Sequence, residues 1–142
     1  MPNLSHQFLF VINTGTSLTS TSASIPFYAT PGNTGPLIST TFRSLKEKGD
    51  GYFGSGDGFH TVTYTVEPLF NGSIAIDASL ASDPTELDWF EVVGTSASYT
   101  GGQPGLPLTN YLNFVGNFVW IRARVNKNSG SAGGIQVVNY NR

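Results

Sequence analysis

A chain of 142 residues with a formal charge of −2 can bury a core within one domain, and it carries no basic run that would hold nucleic acid or an anionic lipid surface. It has no cysteine, which excludes disulfide scaffolds, thiol nucleophiles and zinc sites of the Cys type. Charged residues make up 11%, against roughly 25% in an average soluble domain; serine, threonine, asparagine and glycine take their place, so few charges need desolvating if the protein sits against neighbours.

The chain opens Met-Pro-Asn-Leu-Ser-His-Gln, with no positive n-region. The apolar run Phe8 to Ile12 is too short for a signal peptide or a membrane span. That run is apolar on both faces and reads as a strand buried on both sides, in the core or under a partner subunit. Asn13 to Ser24 is polar and reads as a loose loop or a hairpin arm. Ile25 to Ala29 reads as a short strand, with Pro26 at an edge or a strand start. Pro31 to Pro36 is a turn.

Leu37 to Lys48 is ambiguous. Arg43 to Lys48 could form one helical turn, or Ile38, Thr40, Phe42 and Leu45 could sit on a strand. Glycines at 49, 51, 54, 56 and 58 make the next stretch a loop with Tyr52 and Phe53 at its centre. Both rings either project to gain burial on a neighbour or fold back onto the core. The loop lacks the Gly-x-x-x-x-Gly-Lys-Ser/Thr pattern and opens no helix, so it is not read as a phosphate cradle.

Strands are expected over 59–66, 73–80, 89–93, 108–115, 118–125 and 135–140, from period-two alternation that buries one face and wets the other. Asn71-Gly72 is a two-residue hairpin signal between the first two, and Gly116-Asn117 links 108–115 to 118–125 in the same way. Ser129 to Gly134 makes the last turn. The expected core is Val62, Tyr64, Val66, Ile74, Ile76, Leu80, Val119, Ile121 and Val125. Many short strands with such turns predict an all-β fold. We read a single antiparallel β-sandwich of jelly-roll or immunoglobulin-like type over 1–142. Residues 1–48 supply an extended N-terminal portion that could act as an inter-subunit arm, and 49–142 the sandwich core.

No catalytic constellation stands on this scaffold. Asp83, Glu86, Asp88 and Glu91 cluster around Trp89-Phe90 and read as an exposed acidic turn rather than a hydrolase pair. Asp50 and Asp57 lie in the glycine-rich loop without the alternating Asp/Asn of an EF-hand. His6 and His60 are far apart, and no Gly-x-Ser-x-Gly elbow is present. His60 shares a face with Val62, Tyr64 and Val66 and is expected to be a hydrogen-bonded histidine at the core rim. On 118–125, Val119, Ile121, Ala123 and Val125 should face the core. Phe118, Trp120, Arg122 and Arg124 should line the wet face, where aromatic rings beside arginines are enriched at interfaces and could also stack sugars.

Two segments together carry a resemblance. One is Gly72 to Leu80 followed by Asp88-Trp89-Phe90-Glu91-Val92; the other is Asn117 to Val125 followed by a Gly/Ser turn and the strand Ile135 to Tyr140. With Asp57-Gly58-Phe59-His60-Thr61-Val62 ahead of them, they resemble small virion structural proteins of tailed bacteriophages, especially those of marine cyanobacterial myoviruses. The resemblance covers about residues 50–142. It implies a β-sandwich accessory protein on the head or tail, made in the host cytoplasm, with no catalytic residue to transfer.

The expectation is therefore a virion structural protein: a capsid decoration or cement subunit, or a head-tail accessory. It would pack against copies of itself and against major capsid or tail proteins. The expected interface residues are Phe8, Phe10, Ile12, Tyr52, Phe53, Phe118, Trp120, Arg122 and Arg124. No cofactor, metal, nucleic acid or membrane is expected. The alternative is a carbohydrate-binding module for host surface polysaccharide. A third reading, a polysaccharide-cleaving enzyme, would use Asp83, Glu86 or Asp88.

Overall fold

A computed structural model describes residues 5–14, 17–22, 41–54, 56–100, 107–128 and 134–141. In chain order the strands are β1 (Ser5–Gln7), β2 (Phe10–Thr14), β3 (Ser17–Ser22), β4 (Thr41–Arg43), β5 (Glu47–Lys48), β6 (Phe59–Val66), β7 (Gly72–Ser79), β8 (Phe90–Glu91), β9 (Ala97–Tyr99), β10 (Leu108–Val115), β11 (Trp120–Lys127) and β12 (Ile135–Asn141). The protein is all-β, and the described residues contain only two short 3-10 turns, Asp50–Phe53 and Glu86–Asp88.

Two antiparallel sheets pack against each other as a sandwich. The first runs β1-β12-β6-β10. The second runs β4-β11-β7-β8, with β5 also on β11 and β9 also on β7. Taking β4 with β5, and β8 with β9, as interrupted strands leaves eight rows; their chain order across the sheets is 1-8-3-6 and 2-7-4-5. Of the two topologies expected, this is the jelly roll and not the immunoglobulin arrangement. The β2–β3 hairpin sits between the first two rows, so the hairpin reading of the polar stretch after Asn13 holds. The ambiguous Arg43–Lys48 segment is not a helical turn but an edge strand interrupted at Leu45-Lys46, tied to β11 by Arg124↔Arg43 and Trp120↔Lys48. The expected strand at 25–29 and the turn at 31–36 lie outside the described residues.

Neither turn dipeptide closes the hairpin expected of it. β6 pairs with β10 and β12, whereas β7 pairs with β11, β8 and β9, so Asn71-Gly72 carries the chain from one sheet to the other. Gly116-Asn117 does the same between β10 and β11. Glycine at 72 is required by close approach, since a Cβ there would lie 1.9 Å from the Asn126 carbonyl oxygen. A Cβ at 116 would strike the Phe118 ring at 2.2 Å.

The core lies between the sheets and holds Phe42, Val62, Tyr64, Val66, Phe70, Ile74, Ile76, Ile121, Val125, Ile135 and Tyr140. Burying each large apolar side chain contributes roughly 1.5–3 kcal/mol. Two expected core residues are corrected. Leu80 lies past the end of β7 and is 63% exposed, and Val119 precedes β11 and is only half-buried. Alternation extrapolated beyond a strand's last ladder bond loses its phase.

Candidate interaction surfaces

The sandwich has two outer faces, and they are built differently. On the second sheet, Asp77 of β7 is nearly fully buried although it points away from the core. Arg124 Nη1 donates to its Oδ1 at 2.7 Å, and Arg122 Nε stands 3.6 Å from Oδ2. Arg124 also pairs with Glu91. Arg122 reaches Glu86 at 3.3 Å, and the Trp89 ring lies 4.1 Å from its guanidinium carbon. Burial pushes the Asp77 carboxyl above its usual range, against the pull of Arg124, Arg122 and Arg43.

The chain that supplies Glu86 and Trp89 is a strap over this face. Trp120 Nε1 donates to the Ser82 carbonyl at 3.0 Å, and Lys46 stands 3.9 Å from Asp83. The strap's 3-10 turn is closed by a capping box in which Asp88 Oδ2 accepts from the Thr85 backbone N–H at 2.7 Å. The acidic turn is therefore exposed as expected, with Asp83, Glu86 and Glu91 facing cationic partners and Asp88 serving as a cap.

Among the described residues, nothing covers the first sheet's outer face. Its register sets Val115 opposite Phe59, Asn113 opposite Thr61, Tyr111 opposite Thr63 and Thr109 opposite Thr65. On the other side of β6, Asn139 pairs with Thr63 and Asn141 with Thr61. Thr61 donates to Asn113 Oδ1 at 2.7 Å, and the Thr65 and Thr109 hydroxyls meet at 2.9 Å. Phe59, Tyr111 and Val115 are 61%, 64% and 64% exposed. Among the described residues this face carries no charge. Inward, the same strand places His60, which is buried as the pattern required. Gly116 O can only accept, so His60 Nε2 donates to it at 2.6 Å, and Nδ1 shares a hydrogen bond with the Tyr140 hydroxyl at 2.6 Å.

The expected interface residues divide. Phe8 and Phe10 are fully buried in the protein's own core, with Phe8 stacked on Tyr140 at 5.4 Å, so neither is available to a partner. The Ile12 side chain lies outside the described residues. Phe118 turns inward against His60, Phe114 and Phe90, because the crossover before β11 is not yet in strand phase. Arg122 is buried and Arg124 half-buried, both neutralised within the chain, so the wet arginine face is also corrected.

Tyr52, Phe53 and Trp120 do come together at one corner. Tyr52 packs edge-on against Trp120 at 5.1 Å and against Phe53 at 5.3 Å. Lys46 lies over Trp120 and Lys48 over Tyr52, at 4.4 and 4.6 Å. The 3-10 turn under these rings is held by Asp50, which accepts from the Gly58 backbone N–H at 2.7 Å.

None of the residues on this open face is among the interface residues expected from the sequence. The signal for the face was present: Thr61, Thr63 and Thr65 alternate with the core residues Val62, Tyr64 and Val66, and no charge enters 108–115. A scan of protein-family models finds no match to the chain, and a search of curated proteins finds none either.

Proposed function

We propose that the chain is a non-catalytic structural subunit of a tailed-bacteriophage particle. In this reading it is a capsid decoration or cement protein, or a head-tail accessory, made in the host cytoplasm. It packs through the outer face of the first sheet against copies of itself and other virion proteins. The observation that carries this reading is the contrast of that face with the rest of the surface. It is uncharged, shows Phe59, Tyr111 and Val115 to solvent, and carries no covering strap among the described residues. Docking it desolvates no ion, and the exposed rings supply the apolar area. The resemblance of residues 50–142 to phage virion proteins supports the same assignment. Many weak copies engaged together would hold by avidity.

Sedimentation of the purified protein over a wide concentration range tests this. We expect reversible association, weakened about tenfold or more by Thr63→Lys, which sets an ammonium in the middle of the face. A protein that stays monomeric throughout and binds no assembled particle would refute it.

A second reading rests on the Tyr52–Trp120 corner. The exposed Tyr52 and half-buried Trp120 rings, with Lys46 and Lys48 lying over them, suit a host surface glycan, and this reading makes the chain a carbohydrate-binding module. Binding on a glycan array that disappears in Trp120→Ala would favour it; an empty array would set it aside.

A further inference from the structure

The sandwich has four sheet edges, and three of them are guarded. β1 is three residues long. The β4–β5 edge is interrupted and carries Arg43, Lys46 and Lys48. The β8–β9 edge is made of two pieces of two and three residues, with Glu91 in the first. Short length, interruption and charge are the devices by which proteins stop an edge from recruiting another strand. The fourth edge, β10, has none of them. It is eight uninterrupted residues, Leu-Thr-Asn-Tyr-Leu-Asn-Phe-Val, without a charge or a proline. It pairs with β6 on one side, and no described strand lies on the other.

The direction of its free groups can be read. The Gly116 N–H continues the ladder by donating to Gly58 O, which assigns the even-numbered residues to β6. The Tyr111 N–H instead donates to the side chain of its own neighbour, Asn110 Oδ1, at 2.9 Å. Thr109, Tyr111 and Asn113 therefore turn their backbone groups outward, and Asn110 is a local stopper on one of them.

The geometry points to a second copy of this chain as the occupant: β10 pairs antiparallel with β10 of another copy about a two-fold axis at Tyr111. The inference rests on the reading of the chain as an assembling subunit. The strand is its own complement in that register. Tyr111 meets Tyr111 and exchanges backbone hydrogen bonds with it, Thr109 meets Asn113 on the outer face, and Leu108 meets Phe114 on the core side. No like charges meet at any position. Such an isologous contact closes on itself. It also joins two bare faces into one continuous charge-free surface, which doubles the area offered to the rest of a particle. Asn110 must release the Tyr111 N–H as the second strand docks.

Absence of cysteine makes the test clean. Hydrogen-bonded antiparallel partners stand about 5.5 Å apart at Cα, within reach of a disulfide. In the full chain, Tyr111→Cys should give a covalent dimer under mild oxidation, whereas Thr63→Cys, one strand further in, should not. Asn113→Pro removes one outward N–H and leaves the β6 ladder intact. It should weaken dimerisation about tenfold while the far-ultraviolet circular dichroism spectrum is unchanged. Association that Thr63→Lys disrupts, with no Tyr111→Cys cross-link and no effect of Asn113→Pro, would overturn the edge pairing and leave the assembling-face reading standing. Monomers at every concentration would overturn the edge pairing, and monomers that also bind no assembled particle would overturn both.

Discussion

The two outer faces of one sandwich solve the same problem in opposite ways. The second sheet holds a buried carboxylate, a buried guanidinium and a half-buried one beneath a strap, and each charge is met by another within the chain. The outer face of the first sheet carries, among the described residues, only hydroxyl, amide and apolar groups, and no described segment covers it. Charges buried in place must be paired at a desolvation cost that good geometry only offsets. A face meant for another molecule is better without them. The strapped face, its charges paired within the chain, holds the fold, and the bare one is available for contact.

Substitutions on the strapped face should therefore cost stability. The largest loss is expected for Arg124→Met, which strips Asp77 of its closest counter-charge and should cost about 3 kcal/mol at neutral pH. The sign of its pH dependence follows from the raised carboxyl. The folded protein takes up this proton before the unfolded chain does. Its contribution is thus complete below the ordinary 3.8 and is lost as pH rises through the folded value. The variant's deficit should shrink as denaturant titrations are repeated at progressively lower pH; a deficit independent of pH would show that Asp77 is not the group left unpaired.

Trp89→Ala should come next, at about 1–2 kcal/mol, by removing the ring over Arg122 and loosening the strap. Thermal unfolding would read this, and faster amide exchange confined to 81–91 would locate it. On the bare face the expectation reverses. Thr63→Lys should change folding stability by less than about 0.5 kcal/mol, since nothing there is filled or paired by its absence of charge. A large loss would mean that the open face contributes to the fold after all.

Much of the fold was legible in the sequence, for local reasons. β6 and β10 begin and end where the alternation does, because each is half-buried along its whole length. His60 and the central core residues follow from the same period. What was not legible depended on partners distant in sequence. An Asn-Gly pair reports that the chain turns, not whether it returns to the same sheet or crosses to the other. Phe118, Val119 and Leu80 lie just outside their strands, where the two-residue phase no longer governs direction. Arg122 looked wet because nothing in its own strand says that Trp89 and Glu86 will cover it. Phe8 and Phe10 looked like a docking strand because both faces were apolar, when the protein's own core was the partner.

Oxidative footprinting of the protein, dilute and then concentrated, reads the bare face most directly. Phe59 and Tyr111 should lose reactivity together as the protein associates, while Leu87 on the strap, 95% exposed, keeps its own. Association that leaves Phe59 and Tyr111 as reactive as in the dilute protein would contradict the assignment of this face as the contact surface.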